Sequence, residues 1–273
     1  MSGEEEHAER TQYFKKWPLH GDSEIGRVIA VMSGKGGVGK SSLTGMLAVA
    51  LARRKQRVGI IDADITGPTI PQMFGVEGVP EAVDGVLQPV ESSLGVRLMS
   101  IQLLLSNEDS PVIWRAPLIT RTIKRFWTDV YWGKLDFLLV DLPPGTGDAP
   151  LSVMQSFPLD GVLIVSSPQK VATGVVKKAI RMAERLQVPV VGLIENMSYI
   201  QCTHCDELLR VFGPTRGKEL AKEHGIPFLG VLPLDPCLAE LTDRGAIEEY
   251  HSSLLEDLSE KLQAENSTCN AIV

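Results

Sequence analysis

"VIAVMSGKGGVGKSSLTGMLAVALARR" (28–54) runs from an apolar, β-branched stretch through a glycine-rich turn into a long apolar helical pattern. The turn, Gly34-Lys35-Gly36-Gly37-Val38-Gly39-Lys40-Ser41, fits G-x-x-x-x-G-K-[ST] in the strand–loop–helix setting that this pattern needs. Glycines let the backbone wrap a phosphate closely enough for successive N–H groups to point at it. The N-terminus of the following helix, with Ser42 in its first turn, adds partial positive charge. Lys40 is placed to reach the β- and γ-phosphates, and the Ser41 hydroxyl to ligate Mg2+. The bland alternative is a glycine-rich turn that only caps a helix, and the strand ahead of it weighs against that. The expected ligand is a nucleoside triphosphate.

Outward from this stretch, short apolar runs recur at 57–62, 136–141, 161–167, 188–195 and 226–232, and the first run itself covers 27–33. Each is nearly continuous rather than alternating, as in parallel strands buried on both faces. Between them, Val171, Val175, Ala179, Met182, Ala183 and Leu186 mark one helical stripe. Leu118, Ile119, Thr122, Ile123, Phe126, Trp127 and Val130 mark another. Strand and helix in alternation predict right-handed crossovers and a doubly wound, mostly parallel sheet flanked by helices, an α/β fold. The irregular region 75–116, rich in Gly, Pro and Asp, reads as a small hairpin insertion. The expected layout is an N-terminal arm (1–26), one nucleotide-binding domain (27–250) with a Cys-containing loop at 196–206, and a C-terminal helix and tail (251–273).

The chain has 273 residues and a net charge of −7, which argues against nucleic acid as a main partner. No apolar run is long enough to span a bilayer, and the acidic N-terminus has neither an h-region nor the Arg-rich character of a transit peptide. Cys269 stands five residues from the end, so the prenylation motif does not fit. Four cysteines in such a chain point to a reducing compartment, with cytoplasm as the expectation, no membrane and no nucleic acid.

Three carboxylates follow apolar strands. Asp62 and Asp64 bracket one residue, so on an extended segment both point the same way. Asp141 ends "DFLLVD", where a strand delivers a carboxylate to the phosphate edge of a sheet. "LPPGTGD" (142–148) combines two prolines with two glycines, which suits a switch loop. Taken singly, an Asp at a strand end is as often a turn former. Asn196 and Pro233-Leu234-Asp235 follow later strands and read as turn residues. Cys202 and Cys205, in "QCTHC", are half of a four-thiolate metal site. A redox dithiol is the competing chemistry, but it wants a helix N-terminus, and these residues look loop-like. His204 reads as an exposed spacer, and Cys237 as a core thiol at a helix start.

The second loop lysine, Lys35, projects from the turn toward any facing copy of the chain. With it the loop resembles the deviant Walker A loop of the family that includes MinD, ParA, the arsenite-pump ATPase and the nitrogenase iron protein. "DADITGPTIPQMFGV", "WRAPLITRTIKRFW", "VDLPPGTGDAPLSVMQ" and "ENMSYIQCTHC", in that order, narrow the likeness to the Mrp/ApbC iron–sulfur cluster carriers, over about Val28 to Gly245. The resemblance implies a P-loop NTPase of the SIMIBI type that binds and slowly hydrolyses ATP with Mg2+. It implies that Lys35 acts across a nucleotide-sandwich homodimer and that Asp64, 24 residues after Lys40, orients the attacking water. Asp62 and Asp141 would support the Mg2+ shell with Ser41. Asn196 and the Pro233–Asp235 backbone would hold adenine. It also implies a [4Fe–4S] cluster bridged by Cys202 and Cys205 of two copies and passed to apo iron–sulfur proteins. A two-fold axis would bring the four thiolates together. Zn2+ at the same four thiolates is one rival, and a MinD/ParA-like positioning ATPase is the other.

Overall fold

All six apolar runs become strands of one sheet. The computed structural model describes residues 16–104, 116–202 and 204–269. In chain order the first half comprises β1 (Glu24–Ser33), α1 (Lys40–Arg53), β2 (Val58–Asp62), α2 (Ile70–Met73), β3 (Ala82–Val83), β4 (Val86–Leu87), β5 (Val90–Glu91), β6 (Arg97–Met99) and α3 (Ala116–Thr128). β7 (Lys134–Asp141), α4 (Asp148–Ser156), β8 (Gly161–Ser166), α5 (Lys170–Arg185) and β9 (Val190–Glu195) follow. The chain ends with β10 (Ile200–Gln201), β11 (Leu208–Leu209), α6 (Gly217–Glu223), β12 (Phe228–Val231), α7 (Pro236–Asp243) and α8 (Ser253–Cys269).

Among the described residues the central sheet has eight strands in the order β12-β9-β8-β1-β7-β2-β6-β5. Every pairing is parallel except β5 with β6. Alternation along β1 sends Val28, Ala30 and Met32 into one core and Ile29 and Val31 into the other. The first core is closed by α3, α4, α5 and α6, the second by α1 and α8. α1 is apolar nearly all round and buried without a break from Leu43 to Leu51, as a helix sealed between sheet and neighbour must be. Leu255, Leu258 and Leu262 of α8 supply that neighbour's inner stripe.

The sheet takes in more of 75–116 than a hairpin insertion implies. β6 pairs with β2 and carries β5 as the antiparallel edge, because Val96, Leu98 and Met99 have a core face to fill. A separate two-stranded ribbon is formed by β3 and β4 alone. The strand-like run 111–115 lies outside the described residues. Among the described side chains of α5 and the residue after it, Val176, Ala179, Ile180 and Ala183 are buried and Val175, Met182 and Leu186 half-buried. The inward face therefore takes in Val176 and Ile180 beside the expected stripe, whose Val171 side chain lies outside the described residues. The C-terminal part of the expected arm is docked. Trp17 packs edge-on to Phe157 at 5.5 Å between centroids, and its carbonyl accepts from Trp127 Nε1 at 2.9 Å. Among the described residues no helix is long and apolar enough to cross a membrane.

Candidate functional site

β1, β2, β7, β8 and β9 all end at one edge of the sheet, around the place where the strand order reverses. In doubly wound sheets that crevice is where ligands bind. The glycine-rich loop leaves β1 there and enters α1 through Gly39, whose φ of 78° only glycine adopts freely. A Cβ on Gly39 would also lie 2.3 Å from Asn196 Nδ2, so the loop is pressed against the end of β9.

Asp141 is the hub of the site. Its Oδ2 accepts from Lys40 Nζ and from Ser41 Oγ, each at 2.6 Å, and its Oδ1 accepts from Thr44 Oγ1 at 2.7 Å. Lys40 is 5% exposed and Asp141 fully buried, an ion pair that a site keeps for its chemistry more than for stability. Asp62 sits beside Asp141 in the strand register and is also buried. It accepts from Ser100 Oγ at 3.1 Å and from the amides of Thr69 and Ile70 at 3.2 and 3.4 Å. Burial first, then the negative charge of Asp141, pushes the Asp62 carboxyl up to about 7, against the pull of Lys40. Two buried carboxylates and two hydroxyls are the donor set that a hard divalent cation takes.

The Asp62 shift has a measurable sign. A carboxyl whose pKa rises from 3.8 to about 7 binds its proton more tightly in the folded chain, so stability falls as pH climbs through that window and levels off above it. Asp62→Asn, which mimics the protonated form, flattens the stability profile over this window in chelator-treated protein. Parallel profiles for the two proteins by chemical denaturation contradict the assignment.

The segment after β2 leaves the extended form, because Gly67 N donates to Asp64 O at 3.1 Å. Asp62 and Asp64 differ in burial while staying joined through Asp64 N, which donates to Asp62 Oδ1 at 3.2 Å. Asp62 is buried in the body, and Asp64 is half-exposed with Thr66 Oγ1 donating to its Oδ1 at 3.1 Å. Partial burial, its largest influence, raises the Asp64 carboxyl above the ordinary range. The 142–147 loop is tied back to β1, with Gly145 N donating to Ser33 O at 2.9 Å. Lys35 is half-exposed, and its Nζ donates to Gln169 Oε1 at the start of α5.

Asn196 is buried and grips the loop rather than facing open solvent. Its Nδ2 donates to Val38 O at 2.9 Å, and its Oδ1 accepts from Met197 N at 2.9 Å. The 232–235 segment lies against it: Ser198 N donates to Leu232 O at 2.9 Å, and Leu234 N to Tyr199 O at 2.8 Å. The Asp235 side chain caps α7 through Cys237 N at 2.9 Å and also accepts from Tyr250 OH at 2.8 Å.

The two thiols sit at the tip of a β-hairpin, β10–β11, rather than on an unstructured loop. Cys202 N donates to Glu207 O at 2.9 Å and Asp206 N to Cys202 O at 3.0 Å, which closes the turn. The amides of His204 and Cys205 point at the Cys202 sulfur and hold its thiol below the usual range. This is how a loop favours a thiolate ligand. Cys202 is half-buried; Cys205 and His204 are exposed. A cleft of about 610 Å³ runs from Cys202 and Asp206 to Pro233, Leu234 and Asp235, so the Cys202 thiol and the 233–235 segment share a wall. Among the described residues no group of three or more His, Cys, Asp or Glu side chains could hold a metal ion within one chain. Cys237 corrects an expectation. It does start α7, but it is exposed rather than in the core, because the Pro236 turn places it on the outer side.

Four contributors were not foreseen: Thr44 on Asp141, Ser100 on Asp62, Gln169 on Lys35 and Glu195 beneath the hairpin. Only Thr44 left a trace, as a polar residue one turn after Lys40 in an otherwise apolar helix.

Comparison with known proteins agrees with this geometry. A family model described as "ParA: NUBPL iron-transfer P-loop NTPase" matches residues 24–266. An iron-sulfur cluster carrier protein of Methanocaldococcus jannaschii is 47% identical over 225 residues, 82% of this chain and 78% of its own. The cytosolic Fe-S cluster assembly factor CFD1 of Eremothecium gossypii is 44% identical over 236 residues, 83% of this chain and 84% of its own. Among solved structures, a nucleotide-binding protein of Archaeoglobus fulgidus in complex with ADP superposes with a TM-score of 0.77 at 47% identity, covering 85% of this chain and 91% of that one. The cell division ATPase MinD of Pyrococcus furiosus shares the fold at a TM-score of 0.63 and 21% identity, covering 88% and 99%. With its phosphate loop, buried carboxylates and a family match across most of its length, the chain belongs to the ParA-type, NUBPL-like iron-transfer P-loop NTPases.

Proposed function

We propose that this chain is an ATP-hydrolysing carrier of iron–sulfur clusters that works as a homodimer in the cytoplasm. Two copies hold one [4Fe–4S] cluster through Cys202 and Cys205 of each, and the cluster passes to apo iron–sulfur proteins. The observation that carries this reading is the hairpin itself: it presents two sulfur ligands, one with amides aimed at it, and one chain offers no further ligand among the described residues. A two-fold axis at the hairpin tip completes the set of four. The relatives named for cluster carriage and cluster assembly, at 47% and 44% identity, support it.

On this reading Gly34, Lys35, Gly36, Gly37, Val38, Gly39, Lys40, Ser41 and Ser42 cradle the phosphates. A phosphate offers Lys40 the kind of anionic partner that Asp141 gives it. Ser41, Asp62 and Asp141 would hold Mg2+, which neutralises phosphate charge when bound. Lys35 leaves Gln169 for a phosphate on the facing copy. Asn196 and the Pro233–Asp235 backbone border the base. Asp64, half-exposed beside the site, orients the water.

Asp64→Ala therefore binds ATP normally and hydrolyses it about 100-fold more slowly, the usual worth of a positioned proton acceptor. Normal turnover would move that role to another residue. The carrier function is tested by mixing the cluster-loaded chain with an apo iron–sulfur protein under anaerobic conditions with an iron chelator present. Direct transfer restores the acceptor's spectrum; transfer abolished by the chelator shows iron released into solution and counts against a carrier.

A further inference from the structure

Glu195 ends β9 with its carboxylate 1% exposed. Its Oε2 accepts from Arg216 N at 2.8 Å and Gly217 N at 2.6 Å, and its Oε1 from Ser198 Oγ at 3.1 Å. These partners are the two feet of the thiol hairpin: Ser198 precedes β10, and Arg216 and Gly217 follow β11. Gly217 is pressed so close that a Cβ there would lie 3.1 Å from Glu195 Cβ and 2.7 Å from Phe228 Cε2. The next residue, Asn196, bonds Val38 of the phosphate loop at 2.9 Å. Two neighbouring side chains thus face opposite ways, one gripping the phosphate loop and the other gripping both ends of the segment that carries Cys202 and Cys205. A buried carboxylate is costly unless fully bonded, and an apolar residue would pack the same space at less expense. Such a group earns its place by fixing one arrangement of what it holds.

We propose that Glu195 is a positioning residue that locks the thiol hairpin to the phosphate loop, so that nucleotide bound at Gly34–Ser42 sets the reactivity of Cys202 and Cys205. The proposal rests on nucleotide binding at that loop but not on cluster carriage. When a triphosphate reorders the loop around Val38, Asn196 and the end of β9 move with it. Glu195 transmits that movement to both feet of the hairpin at once.

The test uses the full, reduced, iron-free chain, with iodoacetamide labelling of Cys202 and Cys205 followed by peptide mass, with and without Mg-ATP. In the unaltered chain ATP changes the labelling rate by at least about fivefold, the lower end of ordinary coupling between sites. In Glu195→Ala the ratio falls to unity, while ATP affinity by calorimetry stays within about twofold, because the Glu195 side chain bonds nothing in the phosphate loop. Glu195→Gln keeps the coupling, since its amide oxygen still accepts from Arg216 and Gly217 and its NH2 can donate to Ser198. Should the alanine variant fold poorly, Ser198→Ala removes the hydroxyl that reaches both Glu195 Oε1 and the Glu195 carbonyl, and lowers the ratio part of the way. A folded Glu195→Ala or Ser198→Ala with the full ratio overturns the proposal. So does a glutamine variant that is uncoupled, or an unaltered chain whose thiols ignore ATP. With no iron present, the outcome is independent of whether the chain carries a cluster.

Discussion

Lys40→Ala lowers ATP affinity by about 100-fold and destabilises the chain itself. The affinity loss follows from removing one charge-assisted bond to phosphate, worth about 1.5–3 kcal/mol. The stability loss has a separate origin. Lys40 Nζ lies 2.6 Å from Asp141 Oδ2, with Asp141 fully buried, and alanine leaves that carboxylate without its cation. Breaking a buried pair from one side costs about 3–5 kcal/mol. Because Ser41 and Thr44 still donate to Asp141, the expected loss lies at the lower end of that range. The same substitution removes the charge that holds the Asp62 carboxyl down, so its pKa rises further. Calorimetry and chemical denaturation read the two effects independently. Undiminished ATP affinity would contradict the assignment of this lysine to phosphate.

Cys202→Ser or Cys205→Ser abolishes the broad visible absorbance that anaerobic reconstitution with iron and sulfide produces. The effect is all-or-none rather than graded, because each copy supplies only these two thiols at the hairpin tip, and one substitution removes two of four ligands from a symmetric pair. The two positions are not equivalent. The amides of His204 and Cys205 favour the Cys202 thiolate, whereas Cys205 is the exposed member of the pair. Cys237→Ser leaves the absorbance unchanged, since that thiol sits at the start of α7 outside the hairpin. Full assembly by the double serine variant would contradict the site.

The central strands were legible because their apolar runs are continuous, the mark of a parallel sheet covered on both faces. The phosphate loop was legible because its spacing is local: strand, turn and helix adjoin in the chain. Asp141 could be found by its place at the end of such a strand. What stayed hidden depends on partners distant in sequence. β6 joins the sheet through β2, 38 residues earlier from Gly59 to Arg97, and no local pattern announces that pairing. Glu195 reads as an ordinary strand end until the fold brings Arg216 and Gly217 to it. Gln169 acquires a role only because the start of α5 passes beside Lys35. Cys237 misleads for a related reason: its apolar character suggests the core, while the helix start at Pro236 leaves it exposed.

On the proposed function neither copy alone holds a complete cluster site, and two hairpins share one. Native mass spectrometry of anaerobically reconstituted protein tests it most directly. The expected species has two chains with four irons and four sulfides, and the double serine variant gives chains without iron. A single chain carrying the whole cluster would contradict it.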